Sequence, residues 1–184
     1  MAPVTRHRVR PPLSNSELED LYEKNDWSLF VQEERDTATV ELGCSLDPAE
    51  VTSIADLSAG GARITPTIAA HYGVTPVLGD FGKRYRYPIT GRIEETIETI
   101  DPVDLFVCSE TLEHLEDPDP VLAQIRTKTK RLLLTTPVWE EPHLVSHGHL
   151  WTWRAEDVDD MLTAAGFTRW EFRGVSLFGL WMAG

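Results

Sequence analysis

Apolar positions in the second half of the chain fall into short blocks separated by helical spacing. Residues 103–108 (VDLFVC) and 131–136 (RLLLTT) are nearly continuous apolar runs, the pattern of parallel strands covered on both faces. Between them, Asp119 is placed to cap a helix with Pro120 at its first position. Strand, helix and strand over this length make one right-handed crossover. The alternation continues in both directions. Residues 51–57 and 75–78 predict strands one and two, joined by a helix over 61–71 in which Pro66 requires an early position or a kink. Residues 89–93 predict strand three and 94–100 a short helix. Residues 155–165 are amphipathic through Val158, Met161, Leu162 and Ala165, and Gly166 ends them. Residues 167–172 and 178–182 close the chain as an antiparallel edge pair. The whole predicts a doubly wound α/β fold: seven strands, mostly parallel, with an antiparallel last strand.

The N-terminal part is patterned differently. Residues 1–13 show no periodicity and read as a flexible arm. Residues 14–50 predict two cap helices. The first starts at Ser14-Asn15-Ser16-Glu17, with Leu18, Leu21 and Tyr22 on one face. The second covers 27–42, with Leu29, Phe30, Ala38, Val40 and Leu42 apolar. Residues 14–184 thus form a single domain, with the core over 51–184, as suits a chain of 184 residues.

Charge narrows the partners. Thirty acidic against 17 basic residues leave a net charge of −13. Nucleic-acid binding draws its affinity from phosphate neutralisation, so bulk polyanion binding is disfavoured. Arg6, His7, Arg8 and Arg10 form a local basic cluster, read as part of a solvated tail. No apolar run approaches the roughly 20 residues of a membrane helix, and the N-terminus lacks the apolar core of a secretory signal. Cys44 and Cys108 have no metal spacing and read as reduced thiols. The expectation is a cytoplasmic protein that engages no membrane.

The chemistry collects at predicted strand ends, where open α/β sheets bind ligands. Asp56-Leu57-Ser58-Ala59-Gly60-Gly61-Ala62 follows strand one. Its small residues admit a ligand close to the backbone, and the next helix offers free N–H donors. Asp80 follows strand two, where a carboxylate can accept both hydroxyls of a ribose. Ser109-Glu110-Thr111-Leu112-Glu113-His114 follows strand four. A helical turn there puts Glu110, Glu113 and His114 on one face, a set suited to a divalent ion. Residues 139–153 (WEEPHLVSHGHLWTW) form a long loop, and loops of that length are usually functional. His143, His147 and His149 are candidate general bases; Trp139, Trp151 and Trp153 are a candidate apolar wall for an acceptor. No P-loop sequence is present.

The run Cys108-Ser109-Glu110-Thr111-Leu112-Glu113-His114-Leu115-Glu116-Asp117-Pro118, followed by a helix and a strand ending Thr136-Pro137, resembles the centre of small class I S-adenosylmethionine (SAM)-dependent methyltransferases. The resemblance extends from about residue 51 to the C-terminus. It implies a Rossmann-like fold, SAM as cofactor with S-adenosylhomocysteine (SAH) as product, and a small or medium-sized acceptor with an oxygen or nitrogen nucleophile. It implies that the N-terminal helices cover the cofactor cleft. Cofactor contacts carry over to Asp56, Ser58, Ala59, Gly60, Asp80, Ser109 and Glu110. A proton from an acceptor hydroxyl would pass to one of His114, His147 or His149. The chain departs from the family pattern at Ser58 and Ala62, where glycine is usual, and at Arg92, where an acid often meets adenine. The main expectation includes no metal. As an alternative, E-x-x-E-H also resembles the metal site of small-RNA 2′-O-methyltransferases, which implies Glu110, Glu113, His114 and His149 (or His147) as ligands and an RNA or nucleotide end as acceptor. The altered glycine loop leaves a third reading, a catalytically degenerate partner subunit.

Overall fold

A computed structural model describes residues 6–24, 32–141, 145 and 148–184. The elements in chain order are β1 (His7–Arg8), α1 (Asn15–Lys24), α2 (Glu33–Gly43), β2 (Ile54–Asp56), α3 (Ile64–Tyr72), β3 (Val77–Asp80), β4 (Ile89–Thr90), α4 (Ile93–Thr96), β5 (Val103–Ser109), α5 (Pro118–Lys128), β6 (Thr129–Pro137), β7 (Trp151–Thr152), α6 (Ala155–Ala165), β8 (Trp170–Val175) and β9 (Phe178–Ala183). The main sheet has seven strands in the order β4-β3-β2-β5-β6-β9-β8. β2 through β6 pair in parallel, while β9 inserts antiparallel between β6 and β8. This is the doubly wound sheet with antiparallel last strands that the apolar pattern predicts. Among the described residues no helix is long and apolar enough to cross a membrane.

Both faces of the sheet are buried, so its central strands alternate between two cores. Phe106 and Cys108 of β5 face one core with Leu122 and Ile125 of α5 and Val158 and Leu162 of α6. Leu105 and Val107 face the other, with Leu42 of α2 and Ile68 of α3. Gly43 lets α2 close on the sheet: a Cβ there would lie 2.4 Å from Ile68 Cδ1 and 2.9 Å from Leu133 Cδ2. α2 is thereby set beside the carboxyl ends of the strands.

Several boundaries differ from expectation, each for a local reason. α5 starts at Pro118 with Asp117 ahead of it, not at Pro120 behind Asp119. The segment repeats Asp-Pro, and the first four N–H groups of a helix have no partner inside it, so both prolines fit its first turn. Asp119 pairs instead with Arg6 at 2.9 Å. β2 begins only at Ile54 because Thr52 and Ser53 donate to the Asp104 carboxylate. Pro66 takes the third position of α3, where it likewise removes no intrahelical bond.

Part of the stretch expected to be a flexible arm is ordered. His7 and Arg8 pair antiparallel with Thr152 and Trp151, and Val9 donates its N–H to Leu150 O at 2.9 Å. The Arg6 guanidinium lies 4.4 Å from the Trp151 ring centroid, within cation–π range. Residues 1–5 of the arm and 27–31 of the second cap helix, with 25 and 26 before it, lie outside the described residues.

Candidate active site

The carboxyl ends of β2, β3, β5 and β6 surround a cavity of about 400 Å³. Every expected cofactor-binding residue lines it: Asp56, Ser58, Ala59, Gly60, Asp80, Ser109 and Glu110. So do His114 and His149. His143 and His147 lie outside the described residues.

The loop after β2 is held by side chains rather than by glycines. Asp56 is buried; its Oδ1 accepts from Ser58 N at 3.0 Å and its Oδ2 from Thr65 Oγ1 at 2.6 Å. Burial pushes its pKa up to about 7, against the pull of those bonds. Gly60 has φ +50°, a left-handed conformation that glycine adopts without strain. Its N–H donates to Asp80 Oδ2 at 2.7 Å, and its carbonyl accepts from Tyr87 Oη at 2.8 Å. Asp80 Oδ1 accepts from Gly82 N at 2.7 Å. Ser58 turns its departure from glycine to use, since its Oγ accepts from Thr111 Oγ1 at 2.7 Å. Phe81, Tyr85 and Arg92 wall the cavity beyond Asp80, and Leu18 and Tyr22 of α1 also line it. Arg92 donates to Asn15 Oδ1 at 2.7 Å and so ties α1 to this wall.

The end of β5 carries the titratable cluster. Glu110 leaves the strand with φ +52°, a conformation uncommon outside glycine. Its Oε1 accepts from Thr135 Oγ1 at 2.9 Å, and its Oε2 lies 3.1 Å from Arg35 Nη1. Burial and the neighbouring Glu113 push its pKa up to about 8, with Arg35 opposing. Glu113 is buried. Its Oε2 accepts from Thr136 Oγ1 at 3.0 Å, while its Oε1 has no hydrogen-bond partner among the described residues.

Both imidazoles are oriented through Nδ1. His114 Nδ1 lies 3.1 Å from Gly148 O; a carbonyl only accepts, so Nδ1 carries the proton. Burial, with His149 nearby, lowers the His114 pKa to about 3, and the ring is neutral. His149 Nδ1 lies 2.7 Å from Glu140 Oε2. Burial alone would lower the His149 pKa, but Glu140, Glu113 and Glu110 together raise it. The two rings stand perpendicular with centroids 4.7 Å apart. Glu113, His114 and His149 each bring one donor atom to within 4.8 Å of the others. Of the four ligands expected in the metal-site alternative, these three converge, and Glu110 is turned to Arg35 and Thr135.

The tryptophan wall is not where the loop composition places it. Trp153 is buried and donates to Thr136 Oγ1 at 3.2 Å, and Trp151 donates to Leu115 O at 2.9 Å. Both are packing residues. Pro137, Leu177 and Phe178 supply the apolar lining at this end instead. Glu140 and Arg35 are site residues that the sequence pattern leaves unmarked, because each meets its partner only through the fold.

No family model and no curated protein sequence matches the chain. Solved structures do. An O-methyltransferase family protein from Burkholderia thailandensis aligns with a TM-score of 0.62 at 12% identity, over 81% of this chain and 55% of that one. Human N-acetylserotonin methyltransferase in complex with SAM aligns at 0.61 and 14% identity, over 91% of this chain and 53% of that one. The fold is that of class I methyltransferases. The N-terminal domain of EvdMO1 with SAH bound matches at 0.59 and 12% identity, over 94% of this chain and 96% of that one. The chain spans little more than half the length of the first two proteins, 55% and 53%. Likeness at such identities is one of fold, and the chemistry is read from the site.

Proposed function

We propose that the protein transfers the SAM methyl group to an oxygen or nitrogen nucleophile of a small or medium-sized acceptor. One observation carries this reading. The nucleoside-binding signature of Asp56, Gly60 and Asp80 and the proton-handling pair His149–Glu140 line the same cavity. In the reaction, the nucleophile attacks the methyl carbon in line with the departing sulfur. The carbon–sulfur bond breaks, SAH leaves, and the nucleophile's proton passes to a base. With Nδ1 held by Glu140, His149 in its neutral form presents Nε2 as that base, and Glu140 stabilises the imidazolium that forms. Placing nucleophile and methyl together removes roughly 7–11 kcal/mol of barrier in favourable cases. The test is thermal unfolding with SAH. At a hundred times the dissociation constant a ligand stabilises by about 2.7 kcal/mol, a shift of roughly 5–11 °C in a domain of this size. No shift at millimolar SAH would sink the reading and favour a degenerate partner subunit.

A second reading has its own support: metal-assisted methylation of a ribose 2′-hydroxyl at an RNA or nucleotide end. Metal-binding histidines usually donate their outer N–H to a carboxylate or a backbone carbonyl. His149 faces Glu140 in this way, and His114 faces Gly148 O. Glu113 Oε1, buried and without a hydrogen-bond partner among the described residues, completes a two-histidine, one-carboxylate donor set that fits a divalent ion such as Mn²⁺. A bound ion would supply Lewis acidity, lowering the pKa of an acceptor hydroxyl. Methyl transfer that persists in excess chelator rejects this reading, and loss of activity restored by Mn²⁺ selects it.

A further inference from the structure

β8 closes one side of the sheet, and among the described residues no strand pairs with its outer side. Its sequence, Trp-Glu-Phe-Arg-Gly-Val, contains no proline or lysine, the residues that often blunt such an edge. The opposite edge is β4, only 2 residues long. The backbone parity of β8 is fixed by its pairing with β9. Arg169 and Gly184 exchange both N–H···O bonds, at 3.2 and 2.9 Å. Hydrogen-bonded and non-hydrogen-bonded pairs alternate along an antiparallel ladder. Glu171, Arg173 and Val175 therefore turn their N–H and C=O groups toward β9, and Trp170, Phe172 and Gly174 turn theirs outward.

The side chains along this edge are self-complementary. Glu171 and Arg173 share one face, joined by a 2.8 Å bond from Arg173 Nε. Their charges cancel, so β8 is neutral in a chain of net charge −13. Phe172 lies on the other face, 42% exposed, with its ring centroid 5.0 Å from that of Trp181. Trp139, 48% exposed, covers Gly174: a Cβ on that glycine would lie 3.1 Å from Trp139 Cη2. An antiparallel copy of β8 centred on Phe172 places Phe172 opposite Phe172 and Trp170 opposite Gly174. Those are the residues with outward backbone groups, so each pair exchanges both of its bonds. Glu171 of one copy then falls opposite Arg173 of the other in the closer, non-hydrogen-bonded pairs. Moving the axis by one residue sets Glu171 against Glu171 or Arg173 against Arg173, and like charges directly opposite repel.

We propose that β8 is a docking edge for a second copy of this chain, paired antiparallel about a two-fold axis through Phe172. Such a contact is isologous, so one pairing uses up the edge of both copies. The short β4 edge offers no second long strand to extend from, and the assembly closes as a dimer. The sheet then runs unbroken through both copies, with Phe172 and Trp139 of each gathered at the joint.

The test combines sedimentation with amide exchange on the full chain. Sedimentation equilibrium should show monomer and dimer, with no larger species, between about 1 μM and about 1 mM. The amides of Trp170, Phe172 and Gly174 should be protected in the dimer and exchange at least roughly tenfold faster on dilution, while those of Glu171, Arg173 and Val175 stay protected. Glu171→Arg sets arginine against arginine across the axis, and Arg173→Glu sets glutamate against glutamate. These side chains are 54% and 36% exposed, so both variants should fold as the wild type does. Each alone should dimerise at least roughly tenfold more weakly than wild type. A mixture of the two should pair within about threefold of wild type, because each then meets the opposite charge. A wild type that stays monomeric at about 1 mM overturns the proposal and leaves the edge to a strand from another protein. A dimer whose mixed variants regain nothing overturns it too, since the contact then lies on another surface. So does an exchange pattern along β8 that fails to alternate on dilution, or growth into larger species.

Discussion

The two halves of the cavity are finished to different degrees. Around the cofactor loop, both oxygens of Asp56 and both of Asp80 accept hydrogen bonds, and Gly60 uses both its N–H and its carbonyl. These bonds hold the loop from within the protein. Beside it, the cluster at the end of β5 is left incomplete. Glu113 Oε1 is buried without a hydrogen-bond partner among the described residues, three carboxylates act on His149, and both imidazoles commit Nδ1 to outer acceptors. An unsatisfied buried carboxylate oxygen carries a desolvation cost that a bound cation or proton donor recovers. The first half is internally satisfied; the second carries buried charge that is only partly matched.

The largest expected effect separates the halves outright. His149→Ala removes the base in one reading and a ligand in the other, so turnover should fall by about 10²–10⁴-fold. SAH affinity should stay within about threefold, because the cofactor loop is held by Asp56, Asp80 and Tyr87 and not by His149. A joint collapse of turnover and SAH binding, measured by single-turnover kinetics and calorimetry, would mean the two halves are one coupled network.

A smaller effect tests that buried charge itself. Glu113→Gln keeps an acceptor for Thr136 and removes the buried charge. Burial raises the Glu113 pKa above its unfolded value. The wild type's stability contribution from this group is therefore full below the unfolded pKa and lost as pH rises through the folded one. The variant should unfold about 2–4 °C higher than wild type at pH 8, with the gain vanishing near pH 3, below the ordinary pKa of about 4.3, where the carboxyl is protonated in both states. An equal gain at both pH values would trace the effect to packing rather than to charge.

The same contrast decides what the sequence makes legible. The sheet is legible because its central strands are buried on both faces, so β5 carries the apolar stretch Leu105–Cys108 and β6 the stretch Leu132–Leu134. The E-x-x-E-H cluster is legible because its members sit within five positions of one chain segment. Glu140 and Arg35 are not, since each belongs to an ordinary polar stretch until the fold brings it to His149 or Glu110. The β1 strand is hidden for a related reason. It is two residues long, and its partner β7 lies more than 140 positions away, so no local period marks it. The start of α5 is ambiguous because Asp117-Pro118 and Asp119-Pro120 carry the same signal, and only the Arg6–Asp119 pair shows which aspartate is drawn away.

The smallest effect bears on the departure from glycine in the cofactor loop. Ala62 has φ +47°, so an L-residue sits where the family pattern has glycine. The left-handed conformation costs such a residue roughly 1–2 kcal/mol, and Ala62→Gly relieves that strain while adding unfolded-state entropy worth about 0.4–1 kcal/mol. The net gain is about 0.5–1 kcal/mol, or roughly 2 °C in the unfolding midpoint. SAH affinity should hardly move, because the Gly60 peptide that shapes the loop is already fixed by Asp80 and Tyr87. A tenfold gain in affinity on this substitution would show instead that the departure from glycine limits cofactor binding. The loop would then be strained against its ligand rather than satisfied from within, and the contrast between the two halves would disappear.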